Sequence, residues 1–322
     1  MSIILELQDI KTYYYVRKGL FQTLEVKAVD GISLTISQGE TVAVVGESGS
    51  GKTTLGRTVL LLVKPVGGKI LFQGFDVTSA TQNIKEFRKK AQIIFQDPFM
   101  SLNPYMTIRQ IVEEPLLVHD GASEKEKEEK INKALNDVRL SPPDEFLPKY
   151  PHMLSGGQRQ RVGIARTLVL EPILLVADEP VSMIDASSRA EILLLFRDIQ
   201  RKYNMGILYI THDIATAKYF SDKIAVTYLG KIVEFGETRD LLNNPLHPYT
   251  KALIAAVPDP DPKNRLADRA VIPGEPPSPI NPPSGCRFHT RCPYRFEPCD
   301  GDEPQLKEEE DHLVACYLYE KK

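Results

Sequence analysis

Two rhythms of apolar and polar residues run along this chain. Thr41–Val45 and Ile173–Ala177 are near-continuous apolar runs, and Ile207–Ile210 and Ala91–Phe95 are shorter ones. Runs of this length suit strands buried on both faces. Between two of them, Arg189–Tyr203 sets Ile192, Leu193, Leu195, Phe196 and Ile199 at helical spacing. Strand, helix, strand in this order predicts a parallel sheet with right-handed crossovers. The first 40 residues and Gly67–Val77 read as antiparallel strands instead. Residues 107–140 read as helical, with Ser123–Lys133 charged all round, as a solvated helix face would be. The fold class is therefore α/β.

Composition narrows the function classes. Of 322 residues, 42% are hydrophobic and 26% charged, the balance of an ordinary globular chain. Forty basic against 43 acidic residues give a net charge of −3, so dedicated nucleic-acid binding finds no support. No window approaches the roughly 20 apolar residues that cross a bilayer. Met1–Gln8 alternates apolar and polar residues and does not read as a signal peptide, which predicts a cytosolic chain. Nine of the 29 residues from Val257 to Gly285 are proline, an extended connection rather than helix or central strand. The expected division is a body over 1–245, a proline-rich linker over 246–285 and a cysteine-rich segment over 286–322. All four cysteines, Cys286, Cys292, Cys299 and Cys316, fall in that last segment, which is too small to build much core alone.

Five short stretches carry chemistry. Gly46-Glu47-Ser48-Gly49-Ser50-Gly51-Lys52-Thr53 fits the phosphate-binding loop, after a strand and opening a helix. Its glycines let backbone N–H groups turn inward around a phosphate. Lys52 supplies a point charge, and the Thr53 hydroxyl is a Mg²⁺ ligand. Asp178 and Glu179 end an apolar strand, where Asp178 can hold Mg²⁺ and Glu179 can polarise a water, although strand-end acids often only face solvent. Ser155 reads as an N-cap, with Gly156, Gly157 and Gln158 exposing N–H groups at a helix start. Gln96 and His212 each follow a strand, a place where a polar group is more often satisfied than catalytic.

In order and spacing, these stretches resemble the ATP-binding cassette superfamily from Leu5 to about Leu242. The resemblance implies a parallel sheet core with an antiparallel β subdomain and a helical subdomain. It implies two such domains sandwiching two ATP molecules, each between one subunit's phosphate loop and the other's Ser155–Gln158 segment. Residues 46–53, Thr54 and Asp185 would serve the nucleotide. Glu179 matches the family's general base, His212 its γ-phosphate contact and Gln96 its sensor of Mg²⁺ and of the membrane partner. Thr53, Gln96 and Asp178 would be the Mg²⁺ ligands. Adenine stacks on an N-terminal aromatic in this family. Alternation sets Tyr14 opposite Tyr13 and Tyr15 on a strand, and motif spacing favours Tyr14. Where the family usually has Ser-Ala-Leu-Asp, this chain has Ser182-Met183-Ile184-Asp185.

Phe95–Pro104, His247-Pro248-Tyr249-Thr250 and the Gly285–Pro293 stretch are similar to oligopeptide/dipeptide importers. That branch also carries nickel and oligosaccharides. The resemblance implies a peripheral ATPase on the cytoplasmic face of the cell membrane. Its partners would be two permease subunits, a second ATPase and an extracytoplasmic solute-binding protein. The four cysteines match those on which some relatives hold a [4Fe–4S] cluster; zinc, reduced thiols and disulfides stay open. Two other classes are a soluble cassette ATPase working on DNA or ribosomes and an ATPase serving a redox sensor. Against the first stand a single cassette and the lack of a long insertion between phosphate loop and Ser155. An air-sensitive absorbance coupled to ATPase rate would mark the second.

Overall fold

The computed structural model describes residues 2–19, 22–79, 84–119, 121–257 and 274–320. In chain order its strands are β1 (Ile3–Lys18), β2 (Gln22–Ser37), β3 (Thr41–Val45), β4 (Gly67–Phe72), β5 (Phe75–Asp76), β6 (Ala91–Ile94), β7 (Leu174–Asp178), β8 (Gly206–Thr211), β9 (Lys223–Tyr228), β10 (Lys231–Glu237), β11 (Lys307–Glu309) and β12 (His312–Val314). The helices are α1 (Lys52–Val59), α2 (Ile84–Lys90), α3 (Ile108–His119), α4 (Glu124–Asp137), α5 (Gly156–Leu168), α6 (Ala186–Tyr203), α7 (Ile214–Phe220), α8 (Thr238–Asn243) and α9 (Pro248–Ala255). The chain forms two compact units, one of Met1–Glu6, Thr35–Glu40 and Leu71–Leu208, the other of Leu7–Leu34, Thr41–Ile70 and Tyr209–Lys322. A four-stranded sheet, in the order β2-β1-β4-β5, has most of its residues in the second. The expected Gly67–Val77 strands are the antiparallel pair β4 and β5.

In the first unit β6 runs parallel to β7, in register from Ala91 opposite Leu174 to Ile94 opposite Ala177. Every residue of β7 is buried, as its unbroken apolar run requires. Helices α3, α4 and α5 pack on one another beside this pair. The expected helical stretch over 107–140 is two helices, because Ser123 starts α4 afresh. Its hydroxyl accepts from Glu126 N while the Glu126 carboxylate accepts from Ser123 N. The charged face of α4 is solvated, while Ile131, Ala134 and Leu135 turn inward.

The second unit is built on strands in the order β11-β12-β10-β9-β3. β3 is parallel to β9, whereas β9, β10 and β12 pair antiparallel. The register of β10 on β12 places Gly236 opposite His312. A Cβ on Gly236 would come 2.3 Å from the Cβ of His312, so the strands close only over glycine. Of the proline-rich linker, residues 258–273 lie outside the described residues. Downstream of it, Phe288 sits 1% exposed among aromatic rings, with centroids 5.3 Å from Tyr228, 5.4 Å from Tyr249 and 5.7 Å from His247. Desolvation pushes His247 down to about 3, so its ring is neutral and Nδ1 accepts the Tyr249 N–H at 3.1 Å.

One ion pair in this unit makes stability depend on pH. Asp30 is buried and accepts from the Tyr13 hydroxyl and the Arg287 guanidinium. Burial alone would raise its carboxyl, but these two donors and the Arg287 charge outweigh it and hold it below the usual range. A folded carboxyl more acidic than the unfolded one stabilises at neutral pH, and that contribution drains away as pH falls below about 4. The thermal midpoints of wild type and Asp30→Asn should therefore differ most near neutral pH and converge on acidification.

Candidate functional site

In the second unit the phosphate loop joins β3 to α1. Gly51 caps α1 with φ +96°, and a Cβ there would meet the Ala28 carbonyl oxygen at 1.9 Å. Only glycine lets the loop turn so tightly against its neighbour. Lys52 is 6% exposed, and its Nζ donates to the carbonyls of Gly46 and Glu47, both at 2.8 Å. The ammonium is thus held inside the curve of the loop, at the mouth of a helix whose positive end favours anions. The Ser50 and Thr227 hydroxyls lie 3.1 Å apart and tie the loop to β9. Thr53 follows Lys52 in the first turn of α1. A phosphate chain fits this cradle of glycines, buried ammonium and hydroxyl.

The three N-terminal tyrosines divide as strand alternation predicts. Tyr13 reaches Asp30. Tyr14, 36% exposed, brings its hydroxyl to 3.5 Å from Thr54 Oγ1, beside the phosphate loop, while Tyr15 faces solvent. His212 is exposed after β8, and next to it Asp213 caps α7 by accepting from Ala215 N at 2.9 Å.

In the first unit β7 delivers Asp178, 3% exposed, and then Glu179. Glu179 has φ +45°, in the left-handed region that a side-chain-bearing residue rarely adopts. Its carbonyl accepts from Ser182 N at 3.2 Å and from Ser182 Oγ at 3.0 Å, bonds that brace the turn. Gln96, after β6, donates its amide to Glu179 Oε2 at 2.9 Å. Two residues 83 apart thereby meet through the parallel register of β6 and β7.

The Ser155–Gln158 segment also lies in the first unit. Ser155 and Gln158 form a reciprocal capping box, Ser155 Oγ accepting at 3.3 Å and Gln158 Oε1 at 3.0 Å. Ser155 is exposed, whereas a Cβ on buried Gly157 would lie 3.0 Å from Ser188 Oγ. Ser188 belongs to the start of α6, which Asp185 caps by accepting from Ser188 N at 2.8 Å and Ser187 Oγ at 2.6 Å. The Ser187 hydroxyl and then the Ser188 amide hold the Asp185 carboxyl down to about 2. Met183, where the family usually carries alanine, is 53% exposed.

The four cysteines are free thiols. Burial pushes Cys286 up to about 12 and Cys316 up to about 11, and also raises Cys292. Among the described residues no group of three or more His, Cys, Asp or Glu side chains is arranged to hold a metal ion. The expected [4Fe–4S] cluster therefore finds no support in this arrangement.

Residues that local motif reading left without a role also reach the phosphate loop. Tyr249 Oη accepts from Glu47 N at 2.8 Å, and Arg291 grips the Glu47 carboxylate. Both lie more than 200 positions downstream, so no local spacing signals the contact.

Loop, acid pair and capped glycine segment define the chain as a P-loop ATPase. A sequence-family model described as "ABC transporter" matches residues 29–182, and one described as "Oligopeptide/dipeptide transporter, C-terminal region" matches 233–299. The chain is 47% identical over 322 residues to the oligopeptide transport ATP-binding protein AppF of Bacillus subtilis, covering 98% of this chain and 97% of that one. It is 44% identical to the dipeptide transport ATP-binding protein DppF of Escherichia coli, covering 98% and 94%. Among solved structures it is similar to cbiO1 from Clostridium perfringens, with TM-score 0.66 at 28% identity, covering 76% and 92%. The dimeric cassette MJ0796 bound to ADP and Pi gives a TM-score of 0.64 at 28% identity, covering 73% and 99%. This chain belongs to the ATP-binding subunits of the oligopeptide/dipeptide ABC transporters. No helix among the described residues is long and apolar enough to cross a membrane.

Proposed function

We propose that this chain hydrolyses ATP to drive import of di- or oligopeptides through a membrane permease. The observation that carries the reading is near-full-length similarity to peptide-transport ATP-binding proteins, C-terminal region included. In this reading the inward N–H groups of residues 46–51, with Lys52, Thr53 and Thr54, hold the polyphosphate, and Tyr14 stacks on adenine. Glu179 takes the proton of the attacking water. The 2.9 Å bond from Gln96 supports that role, because it fixes the orientation of the carboxylate at the end of β7. His212 contacts the γ-phosphate. Thr53, Gln96 and Asp178 would hold Mg²⁺, which when bound neutralises charge on the phosphate oxygens.

Ser155, Gly156, Gly157 and Gln158 serve the nucleotide of a second ATPase subunit, and Asp185 keeps that segment's neighbour, α6, in place. Binding of ATP closes the pair and moves two permease subunits, and hydrolysis reopens it. An extracytoplasmic binding protein supplies the solute, and the ATPase sits at the cytoplasmic face of the membrane. The division into 1–245, 246–285 and 286–322 belongs to this reading. No step runs through a [4Fe–4S] cluster, for which the described residues give no support.

The test is affinity purification of the tagged chain from solubilised native membranes, with mass spectrometry of what accompanies it. Two permease subunits should co-purify, and their companion binding protein should retain peptides. Retention of oligosaccharides or nickel instead would reassign the solute, and recovery of soluble partners alone would remove the transport role.

A further inference from the structure

The C-terminal segment reaches into the nucleotide-binding loop through one side chain. Arg291, 7% exposed, makes a two-pronged bond to Glu47, Nη1 to Oε2 at 2.9 Å and Nη2 to Oε1 at 3.3 Å. Glu47 is the first residue of the loop after Gly46. Its main-chain oxygen is one of the two carbonyls that hold the Lys52 ammonium, and its N–H is fixed by the Tyr249 hydroxyl. A chain of contacts therefore runs from Arg291 through Glu47 to Lys52.

Arg291 is itself held in place. Its Nη1 also donates to Tyr228 Oη at 3.3 Å, and its guanidinium lies 6.0 Å from the Tyr228 ring centroid. That ring packs against Phe288, three residues before Arg291. Burial alone would lower the guanidinium's pKa, but the bonds to Glu47 and Tyr228 raise it.

Electrostatics gives the contact a purpose. The loop binds a polyanion, yet its first variable position carries a carboxylate. An unpaired carboxylate there would repel phosphate and would also be free to swing across the loop's N–H groups. A planar guanidinium answers both problems, because it cancels the charge and fixes the carboxylate plane with two bonds.

We propose that Arg291 is a positioning residue for ATP binding. Through Glu47 it holds the phosphate loop and Lys52 ready for the nucleotide, so the C-terminal segment sets the affinity of a site to which it contributes no phosphate ligand.

The experiment measures binding of a fluorescent ATP analogue and steady-state hydrolysis with the purified full-length chain. Arg291→Ala, Arg291→Lys and Glu47→Gln are compared with Arg291→Ala made in the Glu47→Gln background. Arg291→Ala should weaken ATP binding and raise KM about tenfold, with kcat altered less than about twofold, the mark of lost ground-state binding. Arg291→Lys keeps the charge without the fork and should recover part of the loss. Once Glu47 is neutral, Arg291→Ala should have little further effect. Binding is read directly, so a chain that hydrolyses slowly without its partners still gives the answer. Unchanged affinity in Arg291→Ala overturns the proposal, and so does an equal loss in the Glu47→Gln background. A fall in kcat and thermal midpoint with KM unmoved would make Arg291 a packing residue only, which also overturns it.

Discussion

Glu179→Gln should retain ATP binding and lower turnover by roughly 10²–10⁴-fold, the contribution expected of one positioned general base. The substitution keeps the shape of the side chain, so the φ +45° turn after β7 and its two bonds from Ser182 have no reason to change. What it would remove is the oxygen that, in the proposed function, accepts a proton from water. It also turns the Gln96 contact into amide against amide, which can still form one hydrogen bond. Fluorescent-analogue binding and phosphate release on the same preparation separate the two effects. Phosphate release at the wild-type rate would show that the proton leaves by another group.

Phe288→Ala should cost about 3–5 kcal/mol of stability, the range for emptying a fully packed aromatic site. Phe288 fills the space between Tyr228, Tyr249 and His247, all of them buried. The damage should not stay structural. Tyr249 holds Glu47 N and Tyr228 meets Arg291, so loosening these rings should weaken ATP binding as well. Urea unfolding checks the first part and nucleotide titration of the folded variant the second. A loss under about 1 kcal/mol would mean that the rings repack and that Phe288 is not the wedge its burial suggests.

Legibility in the sequence followed the reach of each interaction. The phosphate loop lies in eight consecutive residues, and β3 and β7 are apolar runs, so both could be read directly. The Ser155 cap was readable because capping is decided within four residues. Alternation separated Tyr14 from Tyr13 and Tyr15, but only the structure links Tyr13 to Asp30. The hydrogen bond of Gln96 to Glu179 needed the register of two strands. Least visible was the group around Glu47, since Tyr249 and Arg291 meet it across 202 and 244 positions. Nothing local distinguishes such an arginine from one in solvent. Four clustered cysteines suggested a metal centre, but spacing along the chain does not fix how thiols are arranged, and among the described residues no metal-holding group is found.

The last two strands have a consequence for solubility. Without β12, residues Glu234, Phe235 and Gly236 of β10 would lie on an open edge, offering unpaired N–H and C=O groups to any other strand. β12 closes that edge, and β11 becomes the new one. Only three residues long, it is Lys307, Glu308 and Glu309. A short, fully charged edge is a poor template for sheet growth between molecules. The sheet is thus guarded against growth between molecules, and removing residues 307–314 should make the chain aggregate along β10.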